Sequence, residues 1–117
     1  MSGEITILVQ FGIAECKADE LKEIFNKAVA IARSEEPGTL SFNQYFNEDN
    51  TVCYSLERYT GSEALVSHFK NATHNIQKLG DIAKVARVEV FGDISDELRE
   101  IISPYKPTIL QHYSGYN

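Results

Sequence analysis

The sequence predicts an α+β domain of the ferredoxin-like, split β-α-β kind: a four-stranded antiparallel sheet with helices on one face. Three observations carry this expectation. Apolar residues alternate at period two in four separate stretches, and follow a three–four spacing in two stretches between them. The order of the stretches is β-α-β-β-α-β. A length of 117 residues, 43% of them hydrophobic and 24% charged, suits one core and is too short for two.

The first strand runs from Glu4 to Phe11, with Ile5, Ile7, Val9 and Phe11 on one face and Thr6, Leu8 and Gln10 on the other. From Lys17 to about Ser34 the period lengthens. Leu21, Ile24, Phe25, Ala28, Val29 and Ala32 form one stripe of an amphipathic helix, with Lys22, Glu23, Asn26, Lys27 and Arg33 largely off it. The helix stops at Glu35-Glu36-Pro37-Gly38, where Pro37 disfavours a helical residue before it and Gly38 permits a turn. Thr39 to Phe46 is the second strand, with Leu40, Phe42, Gln44 and Phe46 on one face and Ser41, Asn43 and Tyr45 on the other. Asn47-Glu48-Asp49-Asn50 has the composition of a hairpin loop. Thr51 to Tyr59 is the returning third strand, Val52, Tyr54, Leu56 and Arg58 against Cys53, Ser55, Glu57 and Tyr59.

Thr60 and Glu63 have capping-box spacing and open a second helix. Leu65, Phe69 and Ala72 form its stripe. A break is expected near Asn71-Ala72-Thr73, with resumption through Ile76, Leu79 and Ile82. Lys84 to Phe91 is the fourth strand, carrying Val85, Val88, Val90 and Phe91, and Gly92-Asp93 turns it. Ser95 caps a short helix through Leu98, Ile101 and Ile102 that ends at Pro104. Thr108 to Tyr113 fits either a fifth short strand or an arm.

Composition removes several classes of function. Eleven Lys and Arg against seventeen Asp and Glu give a net charge of −6, the wrong sign for a nucleic-acid binder or a polybasic membrane module. No apolar run approaches the ~20 residues of a membrane span, and the N-terminus lacks the basic n-region of a secretory signal. Cys16 and Cys53 are far apart with no C-x-x-C spacing, which favours a reduced, cytoplasmic protein and two small apolar fillers. His68, His74 and His112 show no metal spacing, and no phosphate-cradling glycine loop or G-x-S-x-G occurs. Both faces of several strands carry large or apolar side chains: Leu8 opposes the Ile5/Ile7 face, and Tyr45, Cys53 and Tyr59 oppose other apolar sets. An exposed apolar sheet face is a liability, so the second face is expected to pack on another copy as a homodimer.

Glu36-Pro-Gly-Thr-Leu-Ser-Phe-Asn-Gln-Tyr-Phe46, Tyr54-Ser-Leu-Glu-Arg-Tyr59 and Glu63-Ala-Leu-Val-Ser-His-Phe69 together resemble the antibiotic biosynthesis monooxygenase family. Its domains read EPG-x-L, then E-x-W at the end of the third strand, then A-x-x-x-H in the next helix. Val88-Glu-Val-Phe-Gly92 is similar to its fourth strand. The resemblance covers residues 4–92. It implies one domain over 1–117, with its core in 4–92 and a helix and tail in 93–117, assembled as a dimeric α/β barrel. It further implies oxidation of a quinol- or anthrone-like aromatic by O2, with no flavin, metal or other cofactor. Two positions depart from the pattern. The chain has no Trp, so Tyr59 stands where the family has tryptophan. Gln10 and an early His74 depart from the haem-degrading branch, which pairs that tryptophan with a first-strand asparagine and a later histidine.

The resemblance also assigns roles. His68 matches the helix histidine, and an imidazole with an ordinary pKa of about 6.5 suits removal of a phenolic proton. The competing reading is a structural histidine bonded to a backbone carbonyl or to Glu57. A carboxylate inside a barrel needs a partner, so Glu57 is expected to orient His68; a salt bridge to Arg58 or Arg87 is the alternative. Asn43 and Tyr45 share one face of the second strand, and Tyr59 shares the Glu57 face of the third. If those faces line one cavity, the three residues place the substrate. The plainer reading of the tyrosines is core or interface packing, and of Asn43 an edge or turn contact. The alternative function is a non-catalytic dimeric barrel that binds a small hydrophobic ligand or has a structural role.

Overall fold

Central strand β1 (Ile5–Ile13) sets the frame in the computed structural model, which describes residues 3–116 without the side chains of 73–77. The order continues α1 (Ala18–Glu35), β2 (Thr39–Phe46), β3 (Val52–Tyr59), α2 (Ser62–Ile82), β4 (Ala83–Phe91), α3 (Asp96–Ile102) and β5 (Thr108–Leu110). A 3-10 turn at Ser103–Tyr105 follows α3. The fold is the expected ferredoxin-like one with helices on one face, but the sheet has five strands, not four, in the order β2-β3-β1-β4-β5. The first four pair antiparallel, while β5 adds parallel to β4, matching Glu89, Val90 and Phe91 with Thr108, Ile109 and Leu110. Of the two readings open for the C-terminal piece, the strand holds for Thr108–Leu110, where β4 offers an unpaired edge.

One face of the sheet is covered and the other is open. Ile5, Ile7 and Phe11 of β1 and Cys53, Ser55, Glu57 and Tyr59 of β3 are buried under the helices. Leu40, Tyr45, Leu56, Phe91 and Leu110 are exposed. Leu40 was expected beside Phe42. The β2–β3 register shifts between Thr39 and Ser41, and that bulge takes Leu40 out of the pairing.

Helix α2 is continuous where a break was expected. Asn71-Ala72-Thr73 contains no Gly or Pro to interrupt the hydrogen-bond ladder, and the Asn71 side chain bonds Glu36. The capping box does not form. Gly61 is the N-cap with no side-chain cap bond, and the Ser62 hydroxyl instead accepts from the Ser95 N–H at 2.9 Å. Ser95 does cap α3, accepting from the Leu98 N–H at 3.1 Å.

The core falls into two clusters. Ile5, Ile7, Tyr59, Leu65, Val90 and Leu98 belong to one, and Phe11, Leu21, Phe25, Cys53 and Ile82 to the other; Val9 packs against both. Among the described residues no helix is long and apolar enough to cross a membrane.

Candidate active site

The site is assembled where the two clusters meet, from three elements that each present a polar side chain inward. Glu36 comes first in the chain. Pro37 keeps the preceding residue out of the helical region, and Glu36 leaves α1 with φ −121° and ψ 81°. This turns its carboxylate inward, where it is 8% exposed. Gly38 lets the turn sit on α2, since a Cβ there would meet the Ala64 Cβ at 2.5 Å. The Thr60 N–H donates to the Gly38 carbonyl at 2.9 Å and pins the turn to the end of β3.

His68 stands on the covered face of α2, buried, with Phe42 edge-on at 5.0 Å between ring centroids. Its Nδ1–H donates to Glu36 Oε1 at 2.8 Å. Thr39 Oγ1 donates to the same oxygen at 2.9 Å, and Asn71 Nδ2 to Oε2 at 3.2 Å. Burial works to raise the Glu36 pKa. The bonds from His68, Asn71 and Thr39 and the charge of His68 outweigh it and hold the carboxyl below its ordinary value.

Glu57 approaches from β3. Its Oε1 lies 3.8 Å from His68 Nε2, beyond hydrogen-bond distance. Its firm partners are hydroxyls: Tyr59 donates to Oε1 at 2.6 Å and Ser55 to Oε2 at 2.5 Å, with Gln44 Nε2 donating to the Ser55 oxygen at 3.2 Å. Burial, and then the Glu57 charge and bond, push the Tyr59 hydroxyl far above an ordinary phenol, so it stays a neutral donor. Neither arginine considered for Glu57 reaches it: Arg58 pairs with Glu4 and Arg87 with Glu89.

A cavity of about 340 Å³ opens beside these groups, within the range of small-molecule sites. Glu36, Glu57, His68 and Asn71 supply its polar end; Ile7, Val9, Phe11, Phe25 and Leu79 are among its apolar walls. Of the sequence-derived candidates, His68 and Glu57 are therefore brought together at a cavity. Tyr59 is fully buried, and its hydroxyl is committed to Glu57 rather than to a ligand. Asn43 and Tyr45 do not join them. In register they pair with Leu56 and Tyr54, so they share the open face of the sheet, and both are exposed. The side chain of His74 lies outside the described residues, and His112 is in the exposed tail.

Sequence reasoning missed Glu36, which was read only as part of a helix stop. Its signal was the Pro after it, which forces the carboxylate off the helix path. Among the described residues no group of three or more His, Cys, Asp or Glu side chains is arranged to hold a metal ion. The arrangement can do proton chemistry: a carboxylate fixes one imidazole nitrogen, and the other stands free at an apolar cavity.

The sequence matches the antibiotic biosynthesis monooxygenase family profile over residues 4–75. No curated protein matches it significantly. Among solved structures it resembles MupZ from Pseudomonas fluorescens, 24% identical, with a TM-score of 0.90 over 100% of this chain and 91% of that one. Rv0793 from Mycobacterium tuberculosis is 20% identical, with a TM-score of 0.68 over 80% of this chain and 97% of that one. SnoaB, a cofactor-independent oxygenase from Streptomyces nogalater, is 13% identical, with a TM-score of 0.68 over 80% and 96%. At these identities the likenesses establish the fold alone.

Proposed function

We propose, from the premise that this chain belongs to the antibiotic biosynthesis monooxygenase family, that it is a cofactor-independent monooxygenase acting on a quinol- or anthrone-like aromatic. The observation that carries the reading is the carboxylate-backed imidazole at an apolar cavity: His68 Nδ1 on Glu36 at 2.8 Å, with Nε2 free. Glu36 fixes the tautomer, so Nε2 is the atom that takes the substrate proton. Glu57, 3.8 Å away, stabilises the imidazolium that results. The deprotonated ring is electron-rich and passes an electron to O2. The radical pair joins as a peroxide at a carbon that still bears a hydrogen. Loss of that hydrogen with cleavage of the O–O bond leaves one oxygen as a carbonyl and releases the other as hydroxide, which the His68 imidazolium protonates to water. The dry wall protects the anion from reprotonation. SnoaB, a structural neighbour named as a cofactor-independent oxygenase, is consistent with this chemistry.

The working unit in this proposal is a homodimer. Leu40, Tyr45, Leu56, Phe91 and Leu110 place exposed apolar surface on all but the central strand of the open sheet face, a surface that a second copy would cover.

The test is O2 uptake with an anthrone or a quinol. His68→Ala is expected to cut turnover about 10²-fold or more, the range of a lost general base. Full activity per folded molecule in that variant refutes the assignment. A second reading is favoured by one observation, the second carboxylate across the imidazole. His68 can take a proton from one atom and, with Glu57 facing the imidazolium in between, return it to another, as in isomerisation, elimination or addition. Turnover that depends on His68 but consumes no O2 selects this reading.

A further inference from the structure

We infer that the cavity is shaped for an elongated ligand whose head sits at His68 and whose long apolar chain runs along α2 and leaves beside Gly80. The inference rests on the proposal that His68 is the reacting end.

Three features of the cavity carry it. Its lining on α2 begins at His68 and Phe69 and continues to Leu79 and Gly80. His68 and Gly80 are twelve residues apart in one unbroken helix, which is about 18 Å at ~1.5 Å per residue. The lining on β1 runs in the same way from Ile7 to Phe11, about 13 Å of strand. A volume of about 340 Å³ drawn out over such lengths is a narrow tube, which within the proposed substrate class favours a single-ring quinol head with a long substituent over an anthrone-like block of fused rings.

Polarity is also arranged along the tube. Glu36, Glu57, His68 and Asn71 cluster at one end, and among the described residues apolar side chains make most of the wall beyond, with Lys84 and Tyr105 as its polar members. Two carboxylates at that end repel an anionic head, while a phenol or alcohol can donate to the free imidazole nitrogen. The far end is lined by Leu79, Gly80, Ala83, Lys84 and Val85. Gly80 lies inside a helix, where glycine is disfavoured, yet a Cβ on it would meet nothing within 4 Å, so packing does not require glycine there. Gly80, Ala83 and Lys84 also border a second, shallower cavity of about 270 Å³ that extends to Gly12 and Ala14. A Cβ on Gly12 would likewise meet nothing within 4 Å. The two cavities therefore adjoin at Gly80–Lys84, and that is where a chain too long for the first would emerge.

The test is calorimetric titration of the intact protein with p-alkylphenols from cresol to nonylphenol, with anthrone as the compact probe. Affinity should climb with chain length through nonylphenol, by up to about fourfold per methylene, and nonylphenol should outbind anthrone. Gly80→Leu, whose Cβ meets nothing within 4 Å, should leave cresol binding unchanged. It should weaken nonylphenol about tenfold or more, the loss of two outer methylenes. Affinity that levels off at short chains, anthrone binding more tightly than nonylphenol, or Gly80→Leu weakening cresol and nonylphenol alike each overturns the inference. All these readouts are binding alone, so they are separable from O2 uptake and from the effect of His68→Ala on turnover.

Discussion

Replacing Glu36 by Gln removes a charge and keeps the shape. Oε1 of Glu36 accepts from His68 at 2.8 Å and from Thr39 at 2.9 Å, and Oε2 accepts from Asn71 at 3.2 Å. A glutamine keeps only one oxygen. Its amide must then face either the Asn71 amide or the two donors on the other side, and a donor meets a donor in both cases. A hydrogen bond to a charged group contributes about 1.5–3 kcal/mol, and an unsatisfied buried donor costs about 1–3 kcal/mol. One lost acceptor and two weakened bonds put the destabilisation at about 2–4 kcal/mol near neutral pH. The pH dependence follows from the Glu36 pKa, which lies below its ordinary value of 4.5. A carboxyl with a depressed folded pKa stabilises the fold above its unfolded pKa, and this is lost as pH falls through the folded pKa. The gap between wild type and variant should therefore be full at neutral pH and should close only in acid, once Glu36 itself protonates. Urea midpoints of both proteins from neutral pH to well below the carboxylate range measure it. Turnover should also fall about 10²-fold or more, because a neutral amide no longer offers the imidazole the charged acceptor that holds its tautomer. A gap absent at neutral pH, or undiminished in acid, refutes the reasoning.

Gly38→Ala should cost about 1–3 kcal/mol and lower activity with it, because the new Cβ meets Ala64 and displaces the turn that holds Glu36; thermal melts and assays on one preparation check both. A thiol reagent at neutral pH should label only Cys16 in the native protein and both cysteines after unfolding, since Cys16 is exposed and the buried Cys53 thiol is pushed up to about 11. Sedimentation should give about twice 13.2 kDa, and Leu56→Asp on the open face should yield a monomer; a wild-type monomer at micromolar concentration refutes the proposed use of that face.

Period-two patterning shows which residues of a strand share a face, but not which face turns toward the helices or how neighbouring strands align. In β3 that sufficed, since Glu57 and Tyr59 share a face wherever it points. In β2 it did not. Asn43 and Tyr45 fall beside Leu56 and Tyr54, and Phe42 and Gln44 fall beside Glu57 and Ser55. A slip of one residue would have exchanged the two sets, and the register is held by hairpin bonds that composition does not display, among them Asn47 Oδ1 accepting from the Thr51 and Val52 N–H groups. Glu36 escaped for a related reason. Pro37 marks a helix end, but the destination of the displaced side chain depends on where α2 lies, which is a long-range fact. The continuity of α2 is the converse case: Asn71 is a weak helix former whose side chain finds a distant carboxylate and so does not compete for its own backbone.

In the proposed mechanism the imidazole, rather than Glu57, receives the proton, and the same bonds give the reason. Both Glu57 oxygens accept short bonds from buried hydroxyls, Ser55 at 2.5 Å and Tyr59 at 2.6 Å. Protonating Glu57 would turn an acceptor of two bonds into a donor facing donors. His68 Nε2 carries no such load. It lies 3.8 Å from Glu57 Oε1, too far to share its proton at rest and near enough for the charge to favour a proton once it arrives. Tyr59 contributes by remaining neutral, because a phenolate there would add a third negative charge beside the pair. The residue that replaces the family's tryptophan thus acts through Glu57, and the hydroxyl that distinguishes Tyr59 from phenylalanine holds that carboxylate in place.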